Sequence, residues 1–272
     1  MNPTVKSIFG FLAISLSVLS CDKAPVIEGM VHIPPGEFVM GSEEVDTEAL
    51  GTEFGLRTGR YYDDEKPMSK VFLDGYYIDK YEVTNAQYKE FITATAAPAP
   101  LNWTQRMHPE GRANHPVTNV TWYSAGIYCA WVGKRLPTEA EWEKAARGPG
   151  GNKYPWGNEY DEKKANLAKG DTVPAGSFET DKSYYGVYDM GGNVMEWTES
   201  WYEPYPGATI INKDYGSQHR VLKGGIGGIP GHYLNNVILA RGATRHHYLP
   251  GGAGDDAGFR CAKSLKNQRT LK

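Results

Sequence analysis

Cysteine is scarce in this chain: three in 272 residues, at positions 21, 129 and 261. No two of them form a Cys-x-x-Cys arrangement, which excludes a thioredoxin-type redox pair. A large excess of either charge is missing too. The 29 basic and 32 acidic side chains leave a net charge of -3, without the basic surplus that nucleic-acid binding needs. No nucleic-acid partner is expected. Past residue 20 no apolar run is long enough to span a bilayer. There is no His-Glu-x-x-His, no serine nucleophile elbow and no Cys-His arrangement. The glycine run at 224–231 lacks a following Gly-Lys-Ser/Thr, and Pro230 breaks the helix a phosphate loop requires. Long helices are excluded by 32 Gly and 17 Pro, which cost about 1 and about 3 kcal/mol each in a helix interior.

What remains is a chain rich in large aromatics, with 18 Tyr and 7 Trp, and 40% hydrophobic. That is a folding composition, and it predicts a loop-rich domain ordered by packing. Residues 1–20 have the layout of a secretory leader, with Lys6 ahead of an apolar run from Ile8 to Leu19. The end of that run, Val18-Leu19-Ser20-Cys21, resembles a bacterial lipoprotein signal. The expectation is lipidation of Cys21, a tether over 21–29, a domain over 30–264 and a polar tail over 265–272. The chain is then expected in the bacterial periplasm, lipid-anchored to the inner or outer membrane. In that oxidising compartment Cys129 and Cys261 predict one disulfide, with two buried thiols as the alternative.

Helix signals are few. Tyr88, Phe91 and Ile92 share one face of a predicted helix over Asn85–Thr93. A second is expected from Thr121 to Gly133, with Ala125, Tyr128, Cys129 and Val132 inward. Thr138 and Glu141 form a capping box for a third, which Gly148 ends and whose Trp142, Ala145 and Ala146 face the core. Strands are predicted at Glu37–Met40, Lys70–Leu73, Tyr76–Asp79 and Arg220–Leu222. The fold class is α+β with much irregular backbone.

Several motifs then line up in one order. They include Gly36-Glu37-Phe38-Val39-Met40-Gly41, Tyr81-Glu82-Val83-Thr84-Asn85 and Arg135-Leu136-Pro137-Thr138-Glu139-Ala140-Glu141-Trp142. Gly192-Asn193-Val194-Met195-Glu196-Trp197, Arg220-Val221-Leu222-Lys223-Gly224-Gly225 and Gly258-Phe259-Arg260-Cys261 follow. The chain resembles the formylglycine-generating enzyme, or sulfatase-modifying factor, family from about residue 30 to 264. The resemblance implies that family's variant of the C-type-lectin-like fold, loop-rich with few helices and short antiparallel strands. It also places a family disulfide at Cys129 and Cys261. Members that make formylglycine hold copper(I) between two cysteines, as soft thiolates allow. Those cysteines fall between Gly224 and Arg245, and this chain has none there. The usual serine after the Gly-Gly is Ile226. No copper is expected, nor any catalytic residue of the known mechanism.

The resemblance further implies structural calcium. One site maps to Asp189, the Gly192 and Val194 carbonyls and Glu196. A second maps to Asn166, the Leu167 carbonyl, Asp171 and the Val173 carbonyl. Hard oxygen donors of this kind suit calcium, and the plain alternative is that they cap turns. His246-His247 with Asp255-Asp256 suggest a transition-metal set, against the blander reading of exposed loop residues. Asp255 or Asp256 is expected to pair Arg241 or Arg245. The expected function is a membrane-tethered binding, accessory or complex-subunit protein with a protein or glycan partner. The alternative is a metal-dependent oxidoreductase or maturation enzyme with altered chemistry in the same cleft.

Overall fold

A computed structural model describes residues 24–45, 62–167, 170–227 and 236–265. The leader, Cys21, residues 228–235 and most of the polar tail therefore lie outside the described residues. Among the described residues, no helix is long and apolar enough to cross a membrane.

The chain opens with β1 (Met30–Ile33) and β2 (Gly36–Met40), followed by β3 (Ser69–Leu73) and β4 (Tyr76–Asp79). Three helices come next: α1 (Asn85–Thr95), α2 (Trp122–Trp131) and α3 (Glu139–Arg147). The remainder is β5 (Met195–Tyr202), β6 (Gly216–Lys223), α4 (Asn236–Leu239), β7 (His246–Tyr248), β8 (Ala257–Gly258) and β9 (Ala262–Ser264). The sheets are small and run β1-β4-β9, β2-β3 and β7-β6-β5-β8. The pairings are antiparallel, as expected of this fold, except that of β5 with β8, which is parallel.

Local chemistry accounts for the helix ends. Thr84 and Gln87 cap α1 reciprocally, and Thr138 and Glu141 do the same for α3. Thr121 accepts from the Ser124 amide at the start of α2. Past α3, Gly148 takes a φ of 69°, a left-handed value that glycine adopts without a Cβ clash.

Two apolar clusters meet across β5. In one, Tyr88, Phe91, Trp103, Tyr128 and Phe259 pack edge-on or stacked around the Cys129–Cys261 disulfide, whose Cα atoms are 5.6 Å apart. The other holds Ile33, Tyr76, Ile78 and Trp142. The bridge expected from the sequence is present, and it ties α2 to the segment entering β9.

Helix α3 departs from its expected one-sided burial. All its residues except Ala140 are buried, charged ones included. Glu139 bonds Arg245, with Nε–Oε1 at 2.7 Å, and Glu143 bonds Lys223 at 3.0 Å and Arg147 at 2.6 Å. Beside them Arg241 grips Glu65 through two bonds of 2.6 and 2.8 Å. A column of matched charges thus runs beneath β6 and the segment after α4. Burial of this many charges is tolerable only because each has a partner.

Candidate functional site

The calcium-implied residues gather around one tight turn. Asp189 and Asn193 both take left-handed backbone, with φ of 60° and 67°, a region that Asp and Asn enter more easily than most side chains. Asn193 joins the two expected sites. Its Nδ2 donates to Glu82 at 2.9 Å, while its Oδ1 accepts from Asn166 Nδ2 at 3.0 Å and from the Val173 amide at 2.9 Å. Two glycines permit this closeness. A Cβ on Gly225 would lie 2.2 Å from the Gly191 carbonyl oxygen, and one on Gly227 would lie 2.5 Å from Asn166 Nδ2.

Beneath the turn, negative charge outnumbers positive. Glu82, Asp181, Asp189 and Glu196 are all buried, and they influence one another with Arg260 as the shared guanidinium. Arg260 is committed to Glu196, donating Nε at 2.6 Å and Nη2 at 2.6 Å. Burial pushes Asp189 up to about 6, and it raises Glu82 and Asp181 as well. Sequence reasoning singled out neither Glu82 nor Asp181 as a site residue. Only the fold brings residues 82 and 181 beside 189, through the bonds of Tyr188 to the Lys80 carbonyl and of Asp189 to the Asp181 carbonyl.

Calcium needs about six to eight oxygen donors with lone pairs to spare. Each carboxylate oxygen offers about two lone pairs. Glu196 Oε2 spends both on Arg260 and Trp142, whereas Oε1 receives only Arg260 Nη2. Asp189 Oδ2 accepts from the Gly176 amide at 2.5 Å. Asn166 Oδ1 and Glu82 Oε1 are buried with no hydrogen-bond partner, and such acceptors cost free energy unless a cation or proton meets them. The first set therefore fits by charge and by the spare capacity of Asp189 and Glu196 Oε1, while the orphaned Asn166 Oδ1 belongs to the second. The second set is weaker, because both carboxylate oxygens of Asp171 turn outward to a bidentate pair with Arg112. Among the described residues no three His, Cys, Asp or Glu side chains form a ready metal cluster, so any calcium here must draw on backbone carbonyls.

Two sequence expectations are corrected. Arg241 and Arg245 take buried Glu65 and Glu139 as partners, whereas Asp256 accepts from Tyr248 at 2.7 Å. His246 and His247 sit on strand β7, where neighbours face opposite sides, and are not exposed loop residues. His246 turns inward, its Nε2 buried without a hydrogen-bond partner, and burial holds its imidazole at about 3. His247 stacks on Tyr202 with centroids 4.0 Å apart and faces Asp214 at 3.6 Å.

A second titrating acid lies below Tyr202. Asp64 accepts the Tyr202 hydroxyl at 2.6 Å, and burial pushes its carboxyl up to about 6 despite Arg245 nearby. The folded chain then keeps a proton that the unfolded chain releases near pH 4. Its contribution is full below pH 4 and is lost as the pH rises through 6. Asp64→Asn is expected to match the parent at pH 4 and to exceed it by roughly 2 kcal/mol at pH 8. Urea unfolding at both pH values checks this, and equal stabilities at pH 8 would refute it.

Residues 17–265 match the sulfatase-modifying factor enzyme 1-like domain. Serine/threonine-protein kinase Pkn1 of Chlamydia trachomatis is 34% identical over 89% of this chain, which spans only 39% of that protein's length. The mouse formylglycine-generating enzyme is 32% identical, covering 86% of this chain and 74% of its own. The mouse inactive C-alpha-formylglycine-generating enzyme 2 is 33% identical, covering 86% and 85%. Among solved structures, PvdO from Pseudomonas aeruginosa superposes with a TM-score of 0.64 at 27% identity, covering 87% of this chain and 94% of that one.

Proposed function

The chain belongs to the sulfatase-modifying factor enzyme 1-like family, and from that premise we propose that it is a non-catalytic member: a membrane-tethered lipoprotein that binds a protein or glycan partner. One observation carries this reading. Of the three cysteines, Cys129 and Cys261 are bonded to each other, and the segment from Gly224 to Arg245 contains none. No pair of thiolates remains to hold copper(I). Overall identity does not separate the two outcomes, because the mouse enzyme and its inactive relative are about equally similar to this chain. The thiol inventory of this chain supports the non-catalytic reading.

The test offers purified protein a cysteine-containing sulfatase peptide with copper and oxygen. No aldehyde and no stoichiometric copper are expected. Aldehyde formation would overturn the reading and favour the alternative of an enzyme with altered chemistry. Tethering at Cys21 is tested separately, by mass spectrometry of the membrane-extracted chain, which should begin at a lipidated cysteine.

We further propose calcium at Asp189, the Gly192 and Val194 carbonyls and Glu196. It would supply positive charge among buried carboxylates and fix the 189–193 turn. A calcium concentration about a hundred times Kd stabilises by ~2.7 kcal/mol, a melting shift of roughly 5–10 °C for a domain of this size. Asp189→Gly, which suits the left-handed backbone, should abolish that increment. A melting temperature indifferent to both calcium and chelator would exclude the site.

A further inference from the structure

The outer face of α2 is uncharged and apolar. Its sequence, WYSAGIYCAW, contains no charged residue. Tyr123, Ile127 and Trp131 recur at i, i+4 and i+8, so they share one face, and they are 55%, 60% and 43% exposed. The strip continues past the first turn of the helix. There Arg220 is stacked between two indoles, its Cζ 3.9 Å from the Trp122 ring and 3.3 Å from that of Trp201. Trp and Tyr with an occasional aliphatic and an arginine are the side chains that settle at the headgroup level of a bilayer, where one end of each is apolar and the other wet.

The path of the chain says which surface covers this face. Pro25 is pinned by the Tyr77 hydroxyl at 2.5 Å. Glu28 and Gly29 line a cavity of about 410 Å³ together with Tyr128 of α2 and with Lys134, just past its C-terminus. Upstream, the apolar run Ile8–Leu19 ends one residue before Ser20-Cys21. An extended chain spans at most ~3.6 Å per residue, so a lipid at Cys21 would hold Glu28 within roughly 30 Å of the bilayer. The chain thus reaches the domain near Lys134, past the C-terminal end of α2 where Trp131 lies. We propose that the Tyr123–Ile127–Trp131 face rests on the lipid surface to which the N-terminus is anchored, fixing how the domain is presented to its partner. This rests on the tethering reading above.

The test uses the full chain reconstituted in phosphatidylethanolamine/phosphatidylglycerol vesicles with plain or brominated acyl chains. All seven tryptophans lie between residues 103 and 201 and none in the leader, so quenching reports the domain alone. Brominated vesicles should quench emission by about a seventh for each tryptophan reached, and Trp131→Phe should reduce that loss by about one such share. Ile127→Glu, at an exposed position, should keep the parent's melting temperature and vesicle association yet lose at least half of the quenching. Vesicle-bound protein with equal emission in both lipids would overturn the docking face while leaving the tether intact. So would a dimer in detergent that Ile127→Glu dissociates, since a second copy would then cover the face. A chain that does not associate with vesicles would instead refute the tether, and the docking face with it.

Discussion

Arg260→Met is expected to lower the folding free energy by about 3–5 kcal/mol, the usual cost of stranding a buried charge. Arg260 is fully buried and is the guanidinium on which Glu196 depends, while Glu82 and Asp189 press on the same region. It also donates to the Asp79 and Tyr188 carbonyls, at 3.2 and 2.8 Å, so its loss unseats the strand end as well as the charge. The double variant Glu196→Gln/Arg260→Met should recover much of the loss, because the neutral amide no longer needs a cation. Urea unfolding of the parent, both single variants and the double variant closes the cycle. If Arg260→Met costs less than about 1 kcal/mol, Arg260 is not the keystone of this cluster.

The Cys129–Cys261 bridge gives the second large effect. It joins residues separated by 132 positions, a loop for which chain entropy predicts a contribution of about 5 kcal/mol. Cys129→Ala/Cys261→Ala should fall by most of that amount. Both side chains are buried inside the main aromatic cluster, so replacing sulfur by a smaller group adds a packing cost. Unfolding with and without a reducing agent checks the assignment. The parent should lose stability on reduction and the double variant should not respond. A parent equally stable in both conditions would remove the bridge from the account.

The local grammar of the chain was readable in advance. Thr138, Glu141 and Gly148 marked α3, and Tyr88, Phe91 and Ile92 marked α1, because capping and periodicity are properties of neighbours in sequence. Strand β5 was not readable. Its first four residues, Met195 to Thr198, are all buried, since α2 and α3 both pack against it, so the alternation that marks a half-exposed strand is missing. The same limit hid the charged column. Nothing local in Glu139, Glu143 or Lys223 distinguishes a buried ion pair from a solvated helix face, because the partners come from distant segments. Glu82 was quoted for its motif and not for its environment. Gly225 and Gly227 show their purpose only in the fold, where their backbones press against Gly191 and Asn166 and a side chain would collide.

The order β1-β4-β9 has a bearing on when this molecule can fold. The first strand and the last both pair with β4, Ile78 lying opposite Val31 on one side and Ala262 on the other. The sheet therefore cannot close until Ala262 has been synthesised, and Cys261 reaches its partner in the same step. Pairings so remote in sequence form slowly. A nascent chain would leave this sheet open until β9 has emerged, with an edge of β4 unpaired throughout that interval.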